Sequence, residues 1–359
     1  MTTAAEIAPA ADRPGIDWRA VWRATYQAVL SLFLALLVGG VLLLASGQNP
    51  FLAYQSLIYG AFGSVDRFAE TLVKATPLLL VAISVSISFR CQVWNIGAEG
   101  QVILGAIVST WLALSLPRGL PPVVVVLIAF AGGALGGAAW SLIAGLLKAY
   151  AQANEVITTT MLNYIAIYLL AFLVHGPLKD PAGFNFPQSP LLAPALQLPH
   201  LIQGTRLNLA FAVALLAVVG ALLYWRSTLG LRTEIVGASR RVGRQVGISV
   251  PLTIVLVSGL AGALAGIAGW GDIFGLHFRL IEQIAVGIGS LGVVVALLGE
   301  LHPIGMVFAA FLFGALVVGG NAMERNAGVP FALVDVIQGC VILLILARGY
   351  IFRFGKGKR

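Results

Sequence analysis

The chain has 359 residues, 59% hydrophobic and only 10% charged, with 42 glycines and a formal net charge of +8. A soluble domain carries about 25% charged residues, so a water-soluble globular protein is excluded, whereas lipid-facing helices demand this kind of composition. The positive charge gathers in loops between apolar runs, which argues for membrane orientation and against a nucleic-acid partner.

Residues 1–24 are polar and read as a cytoplasmic N-terminal segment. Ten apolar runs follow, at 25–46, 71–89, 101–116, 121–147, 156–175, 207–225, 252–270, 284–299, 304–320 and 331–347. A bilayer span needs about twenty residues, fewer where a helix is short or broken. The first run lacks a small-residue cleavage site and reads as a retained helix. The expected fold is therefore an all-α integral membrane protein. It is a polytopic helical bundle of about ten transmembrane helices over 25–347, with a basic cytoplasmic tail at 348–359. With the N-terminus inside, fifteen of the 22 Lys and Arg residues fall on the inner side and seven on the outer. That bias places both termini in the cytoplasm, and the tail would be drawn to anionic membrane lipid.

Two loops stand out. Residues 176–206 are Pro-rich and read as an ordered outer cap without long helices. Residues 226–251, the longest inner loop, carry five arginines, and their centre predicts a short basic helix over about 238–246 between Gly237 and Gly247. A plain positive-inside anchor explains the charge of this loop but not its length. Docking of a cytoplasmic partner explains both. Small residues let membrane helices approach closely, so the pairs Gly132/Gly136, Gly133/Gly137 and Gly262/Gly266 are candidate helix contacts. Cys91 and Cys340 suggest no disulfide, and His175, His200, His277 and His302 share no metal-ligand spacing. No phosphate-binding G-x-x-x-x-G-K-[ST] run is present.

Polar residues at membrane depth are the candidates for function. "VWNIGAEGQ" (93–101) holds Trp94, Asn95 and Glu99 among helix-breaking glycines, and broken backbone is tolerated in a membrane only inside protein or along a watery cavity. Glu99 reads either as part of a solvated path or as a helix-terminal carboxylate that pairs with Arg90 or caps backbone. In "ANEVITTTMLNY" (153–164), Glu155, Thr159 and Asn163 share one helical face, with Asn154 and Thr158 beside it. That stripe fits a path wall and interhelical hydrogen bonding equally. A span followed by a Gly-rich polar stretch occurs at 71–100 and again at 252–292 in opposite directions, the pattern of an inverted repeat.

"VWNIGAEGQVILGA", "NEVITTTMLNYIA", "STLGLRTEIVGASRRVGRQVGI" followed by "GLAGALAGIAG", and "VALLGELHPIGMVFAAFLFGAL" together resemble the membrane permeases of ABC importers of the ribose/branched-chain amino acid superfamily. The closest variant is the longer permease subunit of the nucleoside (simple sugar) branch. "WNIGAEG" stands where ribose permeases carry a Gly-Gly-Ile-Asp-Leu-Ser type segment, and Glu300 departs from the basic or small polar residue usual after "ALLG". The resemblance spans about residues 50–347. It implies a bacterial inner-membrane importer subunit without an ATPase site, ATP and Mg being bound by a partner. The implied partners are a cytoplasmic ATP-binding subunit, a shorter paralogous permease in a heterodimer, and an extracytoplasmic substrate-binding lipoprotein. The expected cargo is a nucleoside or related purine or sugar compound, with a monosaccharide or branched-chain amino acid as the alternative. A proton-coupled secondary transporter using Glu99 and Glu155 is a more distant one. Trp94, Asn95, Glu99, Asn154, Thr158 and Asn163 are expected along the path. Arg232, Gly237, Arg240, Arg241 and Gly243 are expected to couple to the ATPase.

Overall fold

The computed structural model describes residues 18–117 and 119–347. The basic tail, the first seventeen residues and Arg118 lie outside the described residues. Among the described residues thirteen α-helices run in chain order: α1 Trp18–Ala45, α2 Pro50–Phe62, α3 Val65–Arg90, α4 Ala98–Ser115, α5 Pro122–Ala151, α6 Glu155–His175, α7 Leu209–Trp225, α8 Thr228–Ala238, α9 Arg240–Gln245, α10 Val250–Asp272, α11 Ile288–Leu298, α12 Pro303–Ala327 and α13 Phe331–Leu346. Among the described residues there is no β-strand beyond two isolated bridges.

Each of the ten apolar runs holds a helix, but the ends differ from the hydropathy reading; α11, for one, begins only at Ile288, four residues into its run. Helix α1 starts at Trp18, inside the segment read as a polar N-terminal stretch. Helices α5 and α12 extend four and seven residues beyond their apolar runs, to Ala151 and Ala327. Six helices (α3, α4, α5, α6, α10 with its continuation to His277, and α12) are long and apolar enough to cross a membrane. A seventh span arises if α7 and α8, bent by 71° at their junction, count as one. The protein is thus a polytopic helical membrane protein.

Two helices, α2 and α8, were not anticipated, and a third, α9, matches the short basic helix that was. Asn49 caps α2 by accepting from the Phe51 and Leu52 N–H groups, with Pro50 in the first turn; this is the N-cap-then-proline signature of a helix start. Ser227 caps α8 through the Gly230 N–H, and Ser239 ends α8 and caps α9 through the Val242 N–H. The expected basic helix over 238–246 is therefore α9 alone. Gly237 lies inside α8, and Gly247, at φ +79, ends the hairpin.

The chain divides into two compact units. The smaller contains α1 and most of α13; the larger, Gln48–Val334, contains everything else. Within the larger unit α3 is buried along nearly its whole length, while α6 is mostly exposed. Around α3 pack α2, α7, α10, α11 and α12.

Close approach of α4, α5 and α10 rests on glycine. A Cβ at Gly137 would run into the Gly262 carbonyl, and one at Gly266 into the Gly133 carbonyl. The second pair on α5 faces elsewhere: Gly136 meets Val108 and Leu104 of α4, and Gly132 meets Leu112. The doubled pattern at 132–137 thus serves two partner helices at once, as small residues do in lipid, where packing must replace the hydrophobic drive.

Candidate functional site

The break between α3 and α4 is the centre of the polar architecture. Helix α3 ends at Arg90, Gln92 takes a left-handed φ of 55, and α4 restarts at Ala98. Asn95 is 3% exposed and Gln101 1%. Their amides bond reciprocally, Gln101 Nε2 donating to Asn95 Oδ1 at 2.9 Å and Asn95 Nδ2 to Gln101 Oε1 at 3.2 Å. Asn95 Oδ1 also accepts from the Gly97 N–H at 3.1 Å. The pair therefore supplies hydrogen-bond partners that the interrupted helix lacks.

Asn163 of α6 clamps the same break from outside. Its Oδ1 accepts from the Gly100 N–H at 2.8 Å, and its Nδ2 donates to the Ile96 carbonyl at 3.0 Å. Gly97 and Gly100 seat closely on α6: a Cβ at Gly97 would lie 2.9 Å from the Thr159 side chain, and one at Gly100 3.0 Å from Asn163 Oδ1. Glu99 lies in the first turn of α4, where the helix dipole favours a carboxylate. The Gly287 backbone faces that carboxylate, and Gly289 of α11 packs against the Glu99 backbone. Of the two structural roles considered for Glu99, backbone capping fits and pairing with Arg90 does not, because Arg90 is engaged elsewhere.

The remaining path candidates sit near this break. Trp94 is 46% exposed and packs its ring on Phe89 at 4.7 Å. Asn154 caps α6 through the Val156 and Ile157 N–H groups. The Thr158 hydroxyl donates to the Asn154 and Glu155 carbonyls of its own helix. Glu155 pairs with Lys148 at 2.6 Å, both side chains largely buried, tying the end of α5 to the start of α6. Asn95, Glu99 and Asn163 are thus brought together, with Trp94 at the rim, while Asn154 and Thr158 stabilise the start of α6.

The arginine-rich loop is bolted to the same element. Arg90 makes an ion pair with Glu234 of α8 at 2.9 Å, and its guanidinium lies 4.3 Å from the Trp225 ring centroid at the end of α7. A Cβ at Gly237 would collide with the Arg90 carbonyl, so glycine is required for α8 to seat on α3. Gly243 is buried against Val236 and Val250, closing the α8–α9 hairpin onto α10. Arg232 and Arg241 are exposed and Arg240 is half-buried. Burial pushes the Cys91 thiol up to about 11, and Arg240 acts in the opposite sense; α9 therefore lies within electrostatic reach of the α3–α4 break. Arg90, Trp225, Glu234 and Gln101 were not among the sequence candidates. An arginine at a helix end beside an apolar run was the visible signal for the first; its partners lie 135 to 144 positions away, where no local pattern marks them.

At the opposite end of the bundle, Lys74 of α3 and Asp272 of α10 line a cavity of about 280 Å³. Beyond Asp272 the chain makes a π-turn, Ile273–His277.

The described structure is thus an all-helical, glycine-packed membrane bundle with buried polar junctions and a bent basic hairpin fastened to its central helix. The family model for the branched-chain amino acid transport system / permease component matches residues 67–346. The chain is 35% identical over 347 residues to a glucose ABC transporter permease protein of Haloferax volcanii, covering 94% of this chain and 90% of the relative. It is 33% identical over 329 residues to a nucleoside ABC transporter permease protein of Lactococcus lactis, covering 89% and 90%. It is also 32% identical over 338 residues to a guanosine ABC transporter permease protein of Bacillus subtilis, covering 92% and 95%. The chain belongs to the permease component family of these transport systems.

Proposed function

We propose that the chain is the longer permease subunit of an ATP-driven importer that carries a nucleoside, or a related purine or sugar compound, across a bacterial inner membrane. Two of the relatives above are named for nucleoside and guanosine transport, which supports the cargo class. The relative named for glucose supports a monosaccharide as the second reading.

The observation that carries the mechanism is the fastening of the α8–α9 hairpin to α3 through Arg90, Glu234, Trp225 and Gly237. A cytoplasmic ATP-binding subunit, holding ATP and Mg that this chain does not bind, docks on Arg232, Arg240 and Arg241. Its movement is passed through α8 to the inner end of α3 and so to the α3–α4 break. Glu99 and Trp94 face the cargo path there, and Asn95, Asn154, Thr158 and Asn163 hold its walls in shape. In this orientation ten spans cross the membrane with both termini inside, the 71–100 and 252–292 segments form the two halves of an inverted repeat, and the loop at 176–206 faces outward. A shorter paralogous permease completes the heterodimer. A substrate-binding lipoprotein docks on the outer loop.

The test is reconstitution. The chain is purified with the ATPase, second permease and binding protein that travel with it, and uptake of labelled guanosine and glucose is measured in proteoliposomes. ATP-driven uptake is expected only with the full set. Changing Arg240→Glu and Arg241→Glu together is expected to abolish it while the complex still assembles in the membrane. Uptake by this chain alone under a pH gradient would favour a proton-coupled secondary transporter instead.

A further inference from the structure

We propose that the cavity between α3, the π-turn after α10, α11 and α12 is a cargo subsite, built to hold a small, neutral, nucleoside-sized ligand between Asp272, Lys74 and His277; this rests on the importer reading above. Asp272 is 8% exposed, yet among the described residues no hydrogen bond or ion pair holds its carboxylate. Lys74 is the cation that acts on it electrostatically, without reaching ion-pair distance. An unpaired buried carboxylate is costly, and in a membrane protein it marks a site whose partner arrives from outside. The carboxylate is aimed into space: Asp272 lines this cavity and also the narrower crevice beside it, which Val73, Thr76 and Asn208 border.

The chemistry of the lining selects the ligand class. Lys74 offers donors only, the Asp272 carboxyl accepts and, when protonated, also donates, and His277 and Gln283 do one or both. An anion would face the Asp272 carboxyl and a cation would face Lys74, so a neutral ligand suits the space between them. The rest of the wall is aliphatic, including Leu78, Leu276, Ile284, Leu291 and Val317. A body with apolar faces and a rim of N–H and O–H groups satisfies such a wall, as a heterocycle carrying a ribose does. A hexose, polar over most of its surface, leaves the aliphatic side unmatched. The volume of about 280 Å³ falls just below the range of about 300–1,000 Å³ usual for ligand sites, which leaves no room for a phosphate chain.

Two further features suit a loading site. The backbone there is a π-turn, a distortion found frequently at functional positions, and it ends on Phe278 at a left-handed φ of 56. The loop at 176–206 is hydrogen-bonded directly to this turn. The Leu198 N–H donates to the Phe274 carbonyl at 2.9 Å and the Leu192 N–H to the Phe278 carbonyl at 2.8 Å. Ser189 and Leu280 exchange bonds between N–H, carbonyl and hydroxyl. Asn208 Nδ2 donates to the Gly275 carbonyl at 2.8 Å. A binding protein pressing on the outer loop therefore bears on the segment that positions Asp272 and His277.

The experiment uses the reconstituted four-component importer with Asp272→Asn and Lys74→Met variants, measuring uptake of labelled guanosine, uridine, glucose and leucine, ATPase stimulation by the loaded binding protein, and Tm. Nucleoside uptake at subsaturating concentration is expected to fall about tenfold or more in each variant, the loss of one hydrogen bond to a charged group. ATPase stimulation is expected to persist. Tm of Asp272→Asn is expected to be unchanged or raised, since a structural carboxylate would lower it when neutralised. Unchanged uptake in both variants would overturn the subsite, as would loss of uptake in step with loss of ATPase stimulation or of Tm. Wild-type uptake of glucose or leucine in place of nucleosides would overturn the ligand class while leaving the importer intact. Absence of any ATP-driven uptake by the wild type would overturn the importer reading and the subsite with it.

Discussion

Asn163 presents both halves of its amide to the backbone of the α3–α4 break, at Gly100 and Ile96. Asn163→Leu leaves one N–H and one carbonyl without partners, so a loss of about 1–3 kcal/mol is expected, seen as a lowered Tm in detergent. An unshifted Tm would mean that the break holds itself. Cys91 reports on the same region from the side of α9. With its thiol pushed up to about 11 from 9.0 chiefly by burial, the folded state retains the proton over a window where the unfolded chain has released it. The Cys91 contribution to stability is therefore full below about pH 9 and is lost as pH rises towards 11. Maleimide labelling of Cys91 in the folded protein at pH 8 is expected to be much slower than in the unfolded chain. Removing the Arg240 charge should slow it further. Labelling equally fast in both states would contradict the buried placement.

The helices show where apolar patterning suffices and where it stops. Every run long enough to span was helical, because length and hydropathy alone decide that in lipid. Helix α2 was missed because thirteen residues fall below spanning length. Helix α8 was missed because "TLGLRTEIVGA" mixes polar and apolar residues; in both, the cap residues Asn49 and Ser227 were the readable sign. The Gly-x-x-x-Gly spacing located the α5–α10 contact, and its split between two partner helices emerged only from the packing. That packing gives a paired prediction on one helix. Gly266→Ala puts a methyl into the Gly133 carbonyl and is expected to cost about 1–3 kcal/mol, whereas a Cβ at Gly259 lies 3.5 Å from the Leu142 side chain, in ordinary contact. Gly259→Ala should leave Tm and the yield of monodisperse protein unchanged. Equal effects would show that the α5–α10 contact is looser than its carbonyl-to-glycine seating.

Across the larger unit, a single arginine joins three things that sequence reading treated apart: the end of α3, the α7–α8 elbow and the broken segment. The broken segment and the basic loop were both legible, as departures from an apolar pattern. Their connection was not, since Glu234 is 144 positions from Arg90 and reaches it only once α7 has turned back by 71°. Energetically the pair is minor: Arg90 and Glu234 are about one-quarter and one-half exposed, and such pairs contribute about 0–1 kcal/mol. Under the coupling proposed above its value lies in transmission, because Arg90 adds ring packing on Trp225 to the ion pair and so ties two helices to one helix end. Arg90→Ala is therefore expected to shift Tm little. In the reconstituted importer it should reduce stimulation of ATP hydrolysis by cargo-loaded binding protein about fivefold or more, the usual scale of site-to-site coupling. Arg90→Lys keeps the charge but loses the planar fork and most of the stacking, so its coupling should fall between the two. A large loss of Tm with coupling intact would reverse the assignment, making Arg90 a stabilising contact and moving the route between hairpin and bundle to the Gly243 contact with α10.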